Sequence, residues 1–352
     1  MNISATLFGQ LPDQGKVYCY TLENDGIKVE ILNYGGIVRA LYLPDKNGRV
    51  ADVVLGHKNF EDYIENAGHL GCVIGRSSGR TSGARFDLFD TQVALEANDG
   101  EHNLHTGREG LSRRLFTGEV HTFGGLPALL LSHTVEDGSD GMPGNLIVTV
   151  AYALTEDNAL MIDYRAVCDK NTLINLTNHS YFNLAGHDSG NIYGHTLELG
   201  SQFYTPIDAS KIPTGEILKV KDTPFDFFTE PKPLGRDIHS ALTQISSCGG
   251  YDHNFVLSGV GYRKVATLTE PESGRVMKVM TDLPGMQLYT GNHFDGQHPY
   301  KDGVNYPKHA GVCLETQFFP NAANTPWFPT PFFAAQEEYT FTTTYQFSLK
   351  ED

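Results

Sequence analysis

Residues 339–350 read Tyr339-Thr340-Phe341-Thr342-Thr343-Thr344-Tyr345-Gln346-Phe347-Ser348-Leu349-Lys350. Tyr339, Phe341, Thr343, Tyr345, Phe347 and Leu349 alternate with Thr340, Thr342, Thr344, Gln346, Ser348 and Lys350, so an extended chain here has one largely aromatic face and one polar face. Working back from it, Leu146 to Leu154 and Ala159 to Val167 are two β-rich runs. Thr155-Glu156-Asp157-Asn158 joins them, a connection of hairpin length that predicts antiparallel neighbours. Further strands are expected at Ile27 to Leu32, Ile37 to Leu43, Arg85 to Phe89, Ala128 to Val135, Thr196 to Leu199, Asn254 to Leu257, Lys264 to Thr269, Val276 to Thr281 and Gly311 to Thr316. Turn residues, among 37 Gly and 17 Pro, separate them, and only Asn59 to Asn66 offers a short helix. The expected fold is all-β, a large sandwich of antiparallel strands, with function on polar loops at one edge or on a concave face.

A chain of 352 residues can bury roughly three quarters of its unfolded surface and needs neither disulfides nor metals for stability. No Pro- or Ser-rich linker, charge run or fixed-period repeat divides it, so residues 1–352 are expected to form a single domain. The formal charge of −16, from 26 Lys+Arg against 42 Asp+Glu, repels phosphate backbones and anionic lipid. Nucleic acid and membrane partners are thereby disfavoured, while a neutral polyol would feel little of this field; the charge also serves solubility. Cys19, Cys72, Cys168, Cys248 and Cys313 are odd in number, widely separated and without a C-x-x-C pair, which reads as reduced, mostly buried thiols. Met1 to Gln10 has no basic segment followed by an apolar core, and no apolar run approaches eighteen residues. The cytoplasm is the expected compartment.

Two segments carry candidate chemistry: Asn178-His179-Ser180-Tyr181-Phe182-Asn183-Leu184 and Cys313-Leu314-Glu315-Thr316-Gln317. A His or Glu among apolar strand residues is costly to bury unless hydrogen-bonded, so each is a site candidate, against the alternatives of a satisfied core histidine and a surface glutamate. Period two places Cys313, Glu315 and Gln317 on one face of their strand, with Val312 and Leu314 on the other. With Gly75-Arg76-Ser77-Ser78-Gly79-Arg80, Glu101-His102-Asn103-Leu104-His105-Thr106-Gly107, Gly250-Tyr251-Asp252-His253-Asn254-Phe255 and Pro284-Gly285-Met286-Gln287-Leu288-Tyr289-Thr290-Gly291-Asn292, these segments resemble the aldose 1-epimerase (galactose mutarotase) family. They occur in that family's order. Weaker resemblance runs from Asn33-Tyr34-Gly35-Gly36 to Tyr345-Gln346-Phe347.

The resemblance implies the galactose mutarotase-like β-supersandwich and the interconversion of α and β anomers of a hexose such as galactose or glucose, without metal or cofactor. It implies Glu315 as the base that takes the anomeric proton and His179 as the acid at the ring oxygen. Arg80, Gly79, His105, Tyr181, Asp252 and Gln287 are the implied sugar-binding residues. Gly79 replaces an Asn common in relatives, and Thr106 replaces a Gly. The His102/His105 spacing raises metal binding, but i,i+3 ligands share a face only on a helix and Asn98-Asp99-Gly100 reads as a turn. A phosphate loop at Gly75–Arg80 lacks the Lys-[Ser/Thr] ending. Competing readings are a sugar-sensing or carbohydrate-binding protein that has lost turnover, and an epimerase of phosphorylated hexoses, for which only Arg80 and Arg76 are at hand. Mutual attraction of Glu315 and His179 is expected to favour both charged forms and give a broad pH bell. The preferred sugar and the oligomeric state are left open by these residues.

Overall fold

In the computed structural model, which describes residues 2–12 and 15–350, the strand Glu338–Leu349 lies at the middle of a nine-stranded sheet. Met1, Glu351 and Asp352, at the ends of the expected 1–352 domain, lie outside the described residues. The sheet order is Thr117–Phe123, Leu126–Val135, Leu146–Leu154, Ala159–Cys168, Glu338–Leu349, Arg275–Thr281, Arg263–Thr269, Thr196–Leu199 and Lys232–Pro233. Every pairing is antiparallel. The expected hairpin is present, with Leu154 opposite Leu160 and Leu146 opposite Cys168.

The aromatic face of Glu338–Leu349 attaches the layer that carries the site. Tyr339, Tyr345 and Phe347 are buried; Leu349 emerges into solvent. Tyr345 donates its hydroxyl to the Leu314 carbonyl at 3.0 Å, and the Thr343 and Thr316 hydroxyls are hydrogen-bonded. Leu314 and Thr316 belong to a five-stranded sheet ordered Leu218–Lys219, Phe203–Tyr204, Asp252–Val256, Gly285–Tyr289 and Cys313–Gln317. Between the layers, Phe255, Met286, Leu288 and Leu314 join one core cluster with Tyr339, Tyr345 and Phe347. Each such side chain contributes about 1.5–3 kcal/mol by leaving water. A third sheet, also of five strands, is built from Asn2–Leu11, Gly15–Glu23, Lys28–Leu32, Val38–Pro44 and Val50–Asp52.

Several expectations need correction. Strands Asn2–Leu11, Gly15–Glu23 and Thr117–Phe123 were not foreseen. Asn2–Leu11 and Thr117–Phe123 are sheet edges exposed on both faces along most of their length, so no apolar alternation marks them. The strand expected at Asn254 to Leu257 runs Asp252–Val256, and that expected at Gly311 to Thr316 runs Cys313–Gln317. The segment after Asn178 is not a continuous strand: Thr177–Asn178 pairs with Val73–Ile74, and beyond it only Phe182 bridges, to Val54 and Val312. The helix at Asn59 to Asn66 is present as Phe60–Glu65, burying Phe60 and Tyr63.

Candidate active site

Strand register builds the floor of the site. Glu315 opposes Gln287, and Gln287 opposes Asn254 on the next strand. Opposed residues share a face, and two-residue periodicity adds Asp252, Tyr289 and Gln317 to it. The other face of the same strands carries Phe255, Leu288 and Leu314 into the core. A cavity of about 390 Å³ opens on the polar face, walled by loops that bring in His69, Gly79, Arg80, His105, His179 and Tyr181. All eight residues singled out from the sequence line this one cavity.

His179 Nε2 stands 3.7 Å from Glu315 Oε1, with both side chains buried. The His179 backbone is pinned on both sides, its N–H donating to the Cys72 carbonyl at 2.8 Å and its carbonyl accepting from Gly71 N–H at 3.0 Å. Tyr181 stacks on the imidazole at 5.0 Å between centroids and commits its hydroxyl to the Gly68 carbonyl, so it supports the ring from behind. Cys313 Sγ lies 3.5 Å from His179 Nδ1, and burial keeps that thiol protonated, its pKa pushed well up.

Electrostatics overturn the reason given for the pH bell. Burial dominates, pushing His179 down to about 3 with help from the neighbouring His69. Burial, then the Asp252 carboxylate, holds Glu315 well above the usual carboxylate range. The uncharged pair, Glu315 protonated and His179 neutral, is therefore the resting form. It holds the same single proton as the ion pair, so the two forms differ only by proton transfer between partners.

One wall of the cavity is a connected network. Arg80 donates through Nε to Asp99 at 2.7 Å and places Nη1 3.8 Å from Asp252, while Gln287 donates its amide to Asp252 at 2.7 Å. Gly79 has φ +73°, and a Cβ there would lie 2.8 Å from Pro320 Cβ. Its N–H donates to His105 Nδ1 at 3.2 Å. That bond defines the His105 tautomer: the neutral ring carries its proton on Nε2 and is a donor. His105, His179 and Glu315 bring ligand-type atoms within 4.8 Å of one another, yet this His105 has no lone pair left for a metal. His102 is turned elsewhere, accepting from Gly83 N–H at 3.1 Å.

Thr106 explains itself by position. It has φ +68°, a conformation costly for a β-branched residue, but its hydroxyl accepts from Ser77 N–H at 2.9 Å and donates to Ser77 O at 3.2 Å. The side chain thus ties the His105 loop to the Gly79–Arg80 loop. Thr106→Val should destabilise the protein by about 2 kcal/mol, because it keeps the strain and leaves a buried N–H unpaired. Thr106→Gly should cost less, since it loses the same bonds but relieves the backbone. Thermal melting of the two variants checks the order.

Sequence reasoning missed His69, Asn254, Tyr289 and His293 as cavity residues, and noted Gln317 only as sharing the Glu315 face. His69 sits edge-on to His105 at 5.1 Å, and burial lowers its pKa to about 4. It is a lone histidine in the loop Ala67-Gly68-His69-Leu70-Gly71, with no periodic pattern to flag it. His293 stands one residue beyond the segment ending at Asn292 and is hydrogen-bonded to Tyr289 at 2.9 Å. Asn254 could have been found by counting two residues along the strand from Asp252.

Fold and site together define a layered antiparallel β protein with a buried imidazole–carboxylate pair in a cup of hydrogen-bonding side chains. The family model for aldose 1-epimerase matches residues 18–346. The chain is 39% identical over 351 residues to the galactose mutarotase of Bos taurus, covering 99% of both chains. Its fold is similar to the crystal structure of galactose 1-epimerase from Lactobacillus acidophilus NCFM (TM-score 0.88, 26% identity, 100% of each chain). It is similar also to that of the aldose epimerase homologue from C. elegans (TM-score 0.85, 28% identity, 94% of this chain and 98% of that one). The chain belongs to the aldose 1-epimerase family and is an isomerase of that type.

Proposed function

We propose that this site interconverts the α and β anomers of a neutral hexose such as galactose or glucose, with Glu315 and His179 moving the two protons. Glu315 in its carboxylate form takes the anomeric hydroxyl proton while protonated His179 gives one to the ring oxygen. Ring opening then leaves Glu315 protonated and His179 neutral, the charge state that burial favours. Rotation about C1–C2 and return of both protons closes the ring as the other anomer. The observation that carries this reading is the 3.7 Å His179–Glu315 pair on the wall of a cavity also lined by Arg80, His105, Asp252 and Gln287.

A neutral sugar is favoured over a phosphorylated one. Arg76 is fully buried in an ion pair with Asp140 at 2.8 Å, and Arg80 is engaged by Asp99 and Asp252, which among the described residues leaves Lys211 as a single cation on the cavity lining and no basic cluster for a phosphate. The Thr106 hydroxyl ties the His105 loop to the Gly79–Arg80 loop through Ser77 and the Gly79 N–H donates to His105, so the departures leave the cavity wall intact. The His179–Glu315 pair supports turnover over binding alone. A single domain is supported by a core cluster drawing on residues from Tyr20 to Phe347. A cytoplasmic setting fits five unpaired, buried cysteines; among the described residues no helix is long and apolar enough to cross a membrane.

Polarimetry on freshly dissolved α-galactose and α-glucose tests the reading. The protein should speed the approach to the equilibrium rotation with both sugars or one. Heat of binding by calorimetry with no such acceleration would mark a binding protein instead.

A further inference from the structure

The sheet face that presents Glu315 continues into polar groups that the acid–base chemistry leaves unused. Gln317 is 1% exposed, and neither its amide oxygen nor its amide nitrogen finds a partner among the described residues. Asn254, also 1% exposed, has an unpartnered Oδ1. Both line the cavity. Buried amides are almost always hydrogen-bonded, and an unpaired amide beside an unpaired amide oxygen on the same cavity is matched by a ligand that can donate and accept.

Their placement follows from register. Gln317 is two residues beyond Glu315 on the same face, which sets their Cα atoms about 6.8 Å apart along the strand. Its opposite number is Gly285, where a Cβ would lie 2.6 Å from Asn254 Oδ1 and 2.7 Å from Phe319 Cδ1. The missing side chain thus makes room for the Asn254 carbonyl beside the Gln317 row.

We propose that Gln317, with the Asn254 carbonyl reaching into the Gly285 gap, is a hydroxyl-recognition subsite that sets which aldoses this enzyme prefers. The inference rests on the sugar-isomerase reading above. With the anomeric carbon at the His179–Glu315 pair, the subsite faces a ring hydroxyl remote from C1. Gln317 Oε1 accepts from that hydroxyl or its neighbour, Nε2 donates, and Asn254 Oδ1 adds a second acceptor. A sugar lacking or inverting the recognised hydroxyl leaves these groups unpaired, which is how discrimination arises.

The test measures kcat/KM by polarimetry for galactose and its 2-, 3-, 4- and 6-deoxy analogues, with wild type, Gln317→Leu and Gln317→Met. Wild type should lose about tenfold on one remote deoxy sugar, the size of a lost hydrogen bond. Either variant should lose a similar factor on galactose, lose nothing further on that one deoxy sugar, and keep the full loss on the others. A variant whose loss is equal across all five sugars, or absent, overturns the subsite. Failure of wild type to turn over any of them would instead reject the isomerase reading. Removing unpaired polar atoms should leave the melting temperature of both variants at or above that of wild type, and a fall in both would show that Gln317 is structural.

Discussion

Glu315→Gln is expected to lower turnover by at least about 10²-fold while sugar binding stays within a few-fold. The amide keeps the shape of the side chain and can still hydrogen-bond a sugar hydroxyl, but it cannot carry a proton away from one. The effect should fall on kcat rather than KM, because the lost interaction exists only while the proton is in flight. The apo protein should be no less stable than wild type, since burial already disfavours the charged form of Glu315. Polarimetry for turnover and calorimetry for binding decide the matter. A variant retaining more than about a tenth of the wild-type rate would remove Glu315 from the role of base.

His179→Gln is expected to cost a comparable factor and also to change the shape of the pH profile. In wild type the active stoichiometry is one proton shared by the pair. Acid destroys it only when His179 takes up a second proton, which its pKa of about 3 postpones to strongly acidic solution. Base destroys it when Glu315 loses the shared proton, which its raised pKa moves upward from the carboxylate range. The result is a broad plateau, as expected from the sequence, but produced by burial instead of mutual attraction. In His179→Gln the residual rate needs only ionised Glu315, so it should rise with pH through the raised Glu315 pKa and then level off. A persistent basic fall in the variant, after subtraction of the uncatalysed reaction, would assign that limb to another group.

Much of this was legible in the chain. Alternation in Tyr339–Leu349 marked the strand that seams the two layers, and the same two-residue period placed Glu315 and Gln317 on the face opposite Leu314. Side-chain direction along a strand is a local property, so the sequence alone determines it. The six segments also named residues that meet at one cavity although they span Gly79 to Glu315. What only the tertiary structure decided depends on groups distant in the chain. Which residue holds the proton follows from how completely Tyr181, His69 and Cys313 close around the pair. The use of Thr106 follows from the Ser77 backbone that its hydroxyl meets. The unpaired Asn254 Oδ1 and Gln317 amide become visible only when register sets Gly285 opposite Gln317 and the Asn254 side chain occupies the space its missing Cβ leaves. Periodicity tells which way a side chain points; desolvation and hydrogen-bond satisfaction are set by what folds over it, and no stretch of sequence contains that by itself.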